Sequence, residues 1–277
     1  MLRRLKARRT AKTLPGWERW LGPGSLAAAL DQDDFEHVIR TFRAANPFPG
    51  LSEPIVIANS VDNALRDEIT ARADRAMRRE VEFLGSGPYV LSTPVDWRLD
   101  FKSNIRWAMR ASHRLPVNDP GNPSDIKIIW ELSRLQWLLP VGQAYVLDGN
   151  ETRAEFARII VEEWIVSNPV CAGPNWMCAM DVALRAISMI WLAQACKGSK
   201  VWQDTAFQER LIKSLVLHGR FIDGNLEYAD INGNHLTADL AGMTIIGIAL
   251  GGRGIAGKWI EKSWRLLCDE FPKQVPA

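Results

Sequence analysis

The segment Asn232-Gly233-Asn234-His235-Leu236 sets an amide and an imidazole side by side between two apolar helical patterns, at the point where the second begins. Such a pair can grip a carboxylate. An enzyme that removes a proton from the carbon beside a carboxylate must first neutralise that charge. Donors fixed where negative charge develops are commonly the largest catalytic contribution. The same residue types allow a plainer role, since Asn234 suits a helix cap and His235 a half-buried histidine with satisfied ring nitrogens.

Two further segments carry polar groups on apolar helical patterns. In the run Trp130-Glu131-Leu132-Ser133-Arg134-Leu135-Gln136-Trp137, the three-residue step places Glu131 beside Arg134. The seven-residue step puts Trp130 and Trp137 on a common side. This is either a substrate-facing cluster or a surface ion pair beside two core tryptophans. The run Gly173 to Arg185 contains Asn175 and Trp176 near a helix start, with Asp181 and Arg185 four residues apart as an expected intrahelical pair. Asn175 is there either a cap or a ligand contact. If Glu131 and Asp181 faced each other across a cleft at about 5 to 9.5 Å they could serve a glycoside hydrolase, although each has an arginine partner that would keep it ionised.

The elements that must position these groups are helical. Of the 277 residues, 47% are hydrophobic, enough for a substantial core. The 34 basic and 32 acidic residues nearly cancel, leaving +2 and no global electrostatic case for nucleic acid or membrane. Arg3, Arg4, Lys6, Arg8, Arg9 and Lys12 form a cationic start, but Leu14-Pro15-Gly16-Trp17 follows where a secretory signal needs about 7 to 15 apolar residues. No run approaches the roughly 18 apolar residues of a membrane span. Four cysteines, Cys171, Cys178, Cys196 and Cys268, lack CxxC spacing. They are expected to pack as small apolar residues, with no metal and no cofactor. Most of the 12 tryptophans are expected in packing, although some could pave a sugar cleft.

Residues 1–23 form a basic, irregular lead. Residues 24–123 hold N-terminal helices and a long Pro/Gly-rich loop, and residues 124–277 the repeated helical core, expected to form one domain with 24–123. Ser25 is expected to cap a helix running through Phe42, and a second helix follows Ser60 to near Glu82. Pro54 to Ala58 and Tyr89 to Ser92 are the only strand candidates, and a short helix is expected around Ile105 to Ser112. The loop residues Trp97, Arg98, Asp100, Lys102 and Trp107 suit a cleft wall. From Ser124 on, helices open near 124, 151, 175, 204, 234 and 254 behind Gly, Pro, Asn or Asp punctuation. Short loops make successive helices antiparallel, so the fold class is all-α, a set of αα hairpins for which a curved array or toroid fits better than a four-helix bundle.

The runs DIKIIWELSRLQW (Asp125 to Trp137), GPNWMCAMDVALRAISMIW (Gly173 to Trp191) and NGNHLTADLAG (Asn232 to Gly242), in this order, resemble the N-terminal helical domain of the heparinase II/III family of polysaccharide lyases. The resemblance runs from about Trp97 to the C-terminus. It implies an incomplete α/α toroid of antiparallel helical hairpins joined to a β-sandwich, with an acidic polysaccharide or oligosaccharide in the cleft between them, broken at uronic acids by β-elimination. Asn234 matches the asparagine that neutralises the uronate carboxylate, and His235 the histidine beside it. Trp130, Glu131, Arg134, Gln136, Asn175, Trp176, Asp181 and Arg185 are then expected to contact substrate. Gly233 and Asp239 depart mildly from the paired asparagine and the glutamate usual in the family. The family's catalytic tyrosine is expected beyond Gln274 and Val275 and its second histidine in the β-sandwich. The chain is therefore expected to be a fragment or truncated product, with weak or no turnover. Family members commonly act in the periplasm or outside the cell, while the missing export signal points to the cytoplasm. An alternative role is a non-catalytic toroid that binds acidic glycan or a partner in envelope polysaccharide metabolism.

Overall fold

The repeated core is built from helices whose starts are fixed locally. In the computed structural model, which describes residues 10, 12–16, 18–116, 119, 121–229 and 232–274, α1 (Pro23–Ala29), α2 (Phe35–Ala44), α3 (Pro54–Ser60) and α4 (Asn63–Met77) precede the long loop. After it come α5 (Ile126–Ser133), α6 (Leu139–Asp148), α7 (Glu151–Ser167), α8 (Ala179–Ala195), α9 (Thr205–Gly224), α10 (Asn234–Ala249) and α11 (Gly254–Gln274). Asp34, Asp62, Asp125, Asn150 and Asp204 each accept a backbone N–H from the first turn of α2, α4, α5, α7 and α9. Each cap satisfies a donor that a helix start would otherwise leave open. Helices α8 and α10 begin instead behind Cys178 and Gly233, neither of which caps its helix with its own side chain. These are the two helices that meet at the candidate site.

Helices α4, α6, α8 and α10 pack side by side in one layer, and α7 and α9 lie together behind them. Consecutive members form antiparallel hairpins, α6 with α7, α8 with α9, and α10 with α11. The result is the expected all-α, incomplete α/α toroid. Helix α8 is its central member, buried along almost its whole length. Close approach of α8 and α10 depends on Gly242: a Cβ there would lie 2.6 Å from the Ala183 Cβ and 3.0 Å from its Cα. No helix among the described residues is long and apolar enough to cross a membrane.

Several local expectations change. The arginines and lysine at positions 3 to 9 lie outside the described residues, whereas 12–16 and 18–20 of the lead, expected to be irregular, are helical. The single helix expected from Ser25 to Phe42 is two, because Asp31 adopts a positive φ and Asp34 caps a new start. Pro54 to Ala58, a strand candidate, lies in α3: proline is well tolerated in a first helical turn. The strand expected at Tyr89 shrinks to Tyr89–Val90, paired antiparallel with Glu80–Val81. Where a helix was expected at Ile105 to Ser112, Ile105–Arg106 pairs with Leu99–Asp100, followed by a 3-10 turn at Ser112–Arg114.

The long loop is held from inside. Buried Asp100 accepts the Ser103 and Ser124 hydroxyls at 2.5 and 2.9 Å and the Asp125 N–H at 2.9 Å. Burial alone would raise its pKa, but these hydroxyls and the Lys102 and Ser103 N–H groups hold it below the usual carboxylate range. Trp97 and Trp107 are buried too. The loop thus anchors the start of α5, and its two tryptophans belong to the core rather than to a cleft wall.

Candidate functional site

The chain of polar groups at the site starts where α5 breaks. Arg134 ends the helix and Leu135, fully buried, takes φ 60°, a left-handed conformation uncommon for a bulky side chain. The break removes the expected common face of Trp130 and Trp137. Trp130 donates to the Pro174 carbonyl at 3.0 Å, and Trp137 back to the Leu132 carbonyl at 3.2 Å. Gln136 is exposed on the following 3-10 turn. Arg134 is paired with Glu131, as the spacing predicts, and its Nε donates to Asp181 Oδ1 at 2.6 Å. Both carboxylates therefore share one guanidinium and do not oppose each other across an open cleft, as a hydrolase would need.

Asp181 does not pair with Arg185, contrary to the four-residue spacing. Arg185 is fully buried in a box formed by α7, α8, α9 and the Pro174–Trp176 turn. Its guanidinium lies 4.0 Å from the Trp164 ring centroid and 5.3 Å from that of Trp176. Its Nε donates to His218 Nε2 at 3.0 Å and its Nη2 to the Asn175 carbonyl at 3.1 Å. Burial lowers the Arg185 pKa to about 9, opposed by the nearby Asp181 carboxylate. His218 must be neutral with its proton on Nδ1, which reaches the Ser214 carbonyl at 2.7 Å. Burial and the Arg185 charge hold it well below an ordinary histidine. Asn175 neither caps a helix nor faces solvent. Its amide donates to the Trp97 carbonyl at 2.9 Å and to Asn168 Oδ1 at 2.8 Å. Asn175, Trp176 and Arg185 are at most 2% exposed, inside the packed interior behind the site.

The second half of the chain joins three segments. Glu227, in the loop after α9, receives the Met180 N–H at 3.2 Å and the Cys178 thiol at 3.4 Å. It lies 3.0 Å from His235 Nδ1, all three contacts falling on Oε2. Glu227 thus caps α8 from a distant part of the chain. The Glu227 N–H is itself held at 2.8 Å by Asp239, which is fully buried one turn after His235. Burial, with Asp181 and Glu227 beside it, pushes the Cys178 thiol up. Asn234 is the first residue of α10, behind the Gly233 cap, and is exposed, as is His235 at 49%. Asn232 ties the preceding loop to α11 through Glu270 at 3.1 Å.

Of the residues singled out by sequence, the structure brings Glu131, Arg134, Asp181 and His235 into one connected series, with Asn234 at its open end. The residues that complete it, Cys178 and Glu227, were missed. Cys178 carried no spacing signal and Glu227 belongs to no run. A glutamate seven residues before the Asn-His pair was the one available hint.

Residues 44–277 match the family model for the heparinase II/III N-terminus. The fold is similar to heparan sulfate lyase HepC from Pedobacter heparinus, at 18% identity and a TM-score of 0.62, covering 87% of this chain and 34% of that one. It is also similar to a heparinase III with methylated lysines, at 20% identity and a TM-score of 0.56 over 75% of this chain and 32% of that one. A third likeness is to a crystal structure of heparinase III, at 17% identity and a TM-score of 0.54, over 87% and 34% of the two chains. The chain thus spans about a third of the length of these solved structures. No curated protein matches it. The match over residues 44–277, in a toroid whose three sequence runs meet at one point, establishes that the chain belongs to the heparinase II/III N-terminal family.

Proposed function

We propose that this chain is the helical, carboxylate-holding domain of a polysaccharide lyase that cleaves a uronic-acid glycan of the glycosaminoglycan type by β-elimination. The observation that carries the reading is the exposed Asn234-His235 pair on the uncapped first turn of α10, backed by Glu227 and Asp239. The helix start contributes open N–H groups and the positive end of the helix dipole, both favourable to an anion. The Asn234 amide donates to the uronate carboxylate. As a general base takes the C5 proton, charge builds on that carboxylate and the donor strengthens. The bond from C4 to its oxygen then breaks, the departing oxygen takes up a proton, and the electron pair left at C5 forms the double bond of the unsaturated uronate. Glu227 occupies Nδ1 of His235, leaving Nε2 to face the sugar. Glu131, Arg134 and Asp181 keep α5 and α8 in register behind the pair and position it.

The test is calorimetric binding of heparan-type and alginate-type oligosaccharides to the chain and to Asn234→Ala. Losing one hydrogen bond to a charged group is expected to weaken binding about 10- to 100-fold. In any preparation that turns substrate over, it should lower the rate about 100- to 1,000-fold. Equal affinity for carboxyl-reduced oligosaccharides would overturn the reading, and so would saturated reducing-end products. Binding without product would favour the non-catalytic glycan-binding role.

A further inference from the structure

The geometry points to a divalent metal site, of the chemical class that takes Zn²⁺, formed by Cys178, Glu227 and His235. Their ligand atoms Sγ, a carboxylate oxygen and an imidazole nitrogen all lie within 4.8 Å of one another. A tetrahedral zinc ion holds sulfur at about 2.3 Å and nitrogen and oxygen at about 2.0 to 2.2 Å, so its ligand atoms stand roughly 3.3 to 3.6 Å apart. Here Sγ is 3.4 Å from Glu227 Oε2, and His235 Nδ1 is 3.0 Å from the same oxygen. Two of the three separations already fall near the required values, and the third, between Sγ and the His235 ring nitrogen, is within 4.8 Å.

The ligand types fit as well as the distances. A thiolate and a carboxylate bring two negative charges that balance one divalent cation, and neutral imidazole completes a borderline-soft set that selects zinc over magnesium or calcium. On binding, the Cys178 S–H bond breaks, its proton leaves to solvent and the sulfur lone pair goes to the metal, with no change of oxidation state. Asp239, which grips the Glu227 N–H, acts behind the ligands to fix the carboxylate's position. Three protein ligands leave a fourth position open, as in zinc sites that bind a water or an external anion. The ligands come from the start of α8, the loop after α9 and the first turn of α10, so no CxxC-type spacing marks them.

The proposal is independent of the lyase reading, because its test measures metal and not turnover. The full chain, reduced and freed of metal by chelator, is titrated with Co²⁺ and with Zn²⁺. One equivalent of Co²⁺ is expected to give a thiolate-to-metal charge-transfer band and the visible spectrum of tetrahedral cobalt, bleached by one equivalent of Zn²⁺. Cys178→Ser should abolish the charge-transfer band, and His235→Ala and Glu227→Gln should each weaken binding by about a hundredfold or more, since even outer-shell partners cost about 10- to 100-fold. Cys268→Ser, at the one exposed cysteine among the described residues, should change nothing. Absence of the band in the intact chain, or its survival in Cys178→Ser, would overturn the site. An unchanged far-ultraviolet circular dichroism spectrum of the variants separates loss of a ligand from loss of the fold.

Discussion

Replacing Arg134 by methionine keeps most of the side chain's aliphatic stem and removes only its charged end. It leaves Asp181, 1% exposed, without the cation 2.6 Å from its Oδ1. Breaking a buried pair from one side costs about 3 to 5 kcal/mol, because the remaining charge stays desolvated. Arg134 itself retains 17% exposure and Arg185 stands near Asp181, so the lower end, about 3 kcal/mol, is expected. At roughly 2 to 4 °C per kcal/mol for a chain of this size, the melting temperature should fall by about 6 to 12 °C. Glu131 lies on the more open side of the same guanidinium, at 23% exposure, so Glu131→Gln should cost about 1 kcal/mol or less. Asp181→Asn placed on Arg134→Met removes the stranded charge and should recover most of the loss. Urea unfolding of the four proteins, followed by circular dichroism, measures all three differences. Equal, small effects of Arg134→Met and Glu131→Gln would refute the claim that Asp181 is a buried carboxylate held by Arg134. Failure of Asp181→Asn to rescue would refute it independently.

Two further outcomes follow from the packed interior. His218 stays neutral in the folded chain while an unfolded histidine takes up a proton below about pH 6.5. The unfolded state therefore binds the extra proton: stability is complete above about pH 6.5 and falls as the pH drops towards the lowered native pKa. His218→Gln keeps an acceptor for Arg185 and a donor for Ser214, and unfolding between pH 5 and 6.5 should lose this part of the slope. Identical slopes would contradict a neutral buried His218. Gly242→Ala forces a methyl group to within 2.6 Å of the Ala183 Cβ across the α8–α10 contact. Overpacking of about 1 to 3 kcal/mol should outweigh the gain of up to about 1 kcal/mol in helix propensity, which thermal denaturation would read as a lower melting point. A rise would show that the two helices separate easily.

Helix starts were legible in the sequence because they depend on nearest neighbours. Asp62, Asp125, Asn150 and Asp204 stand just ahead of the first turn, where their oxygens reach backbone N–H groups two or three residues on. Short punctuation between apolar periods then dictates antiparallel hairpins, and with them the all-α toroid. The Glu131–Arg134 pair was legible for the same reason, since a three-residue step on a helix fixes proximity before any packing. What lay outside that range was the choice among partners. Arg185 sits four residues from Asp181 yet turns to Trp164, Trp176 and His218, because folding buried it among rings from three other segments. Asp181 meets Arg134 instead, 47 positions away in the chain. Cys178, Glu227 and His235 converge only because α8 and α10 approach closely at Gly242 and the loop after α9 passes over both helix starts. Local spacing determines which residues can share a helix face, but the partner of a buried charge is set by which helices pack together, and that only the tertiary structure decides.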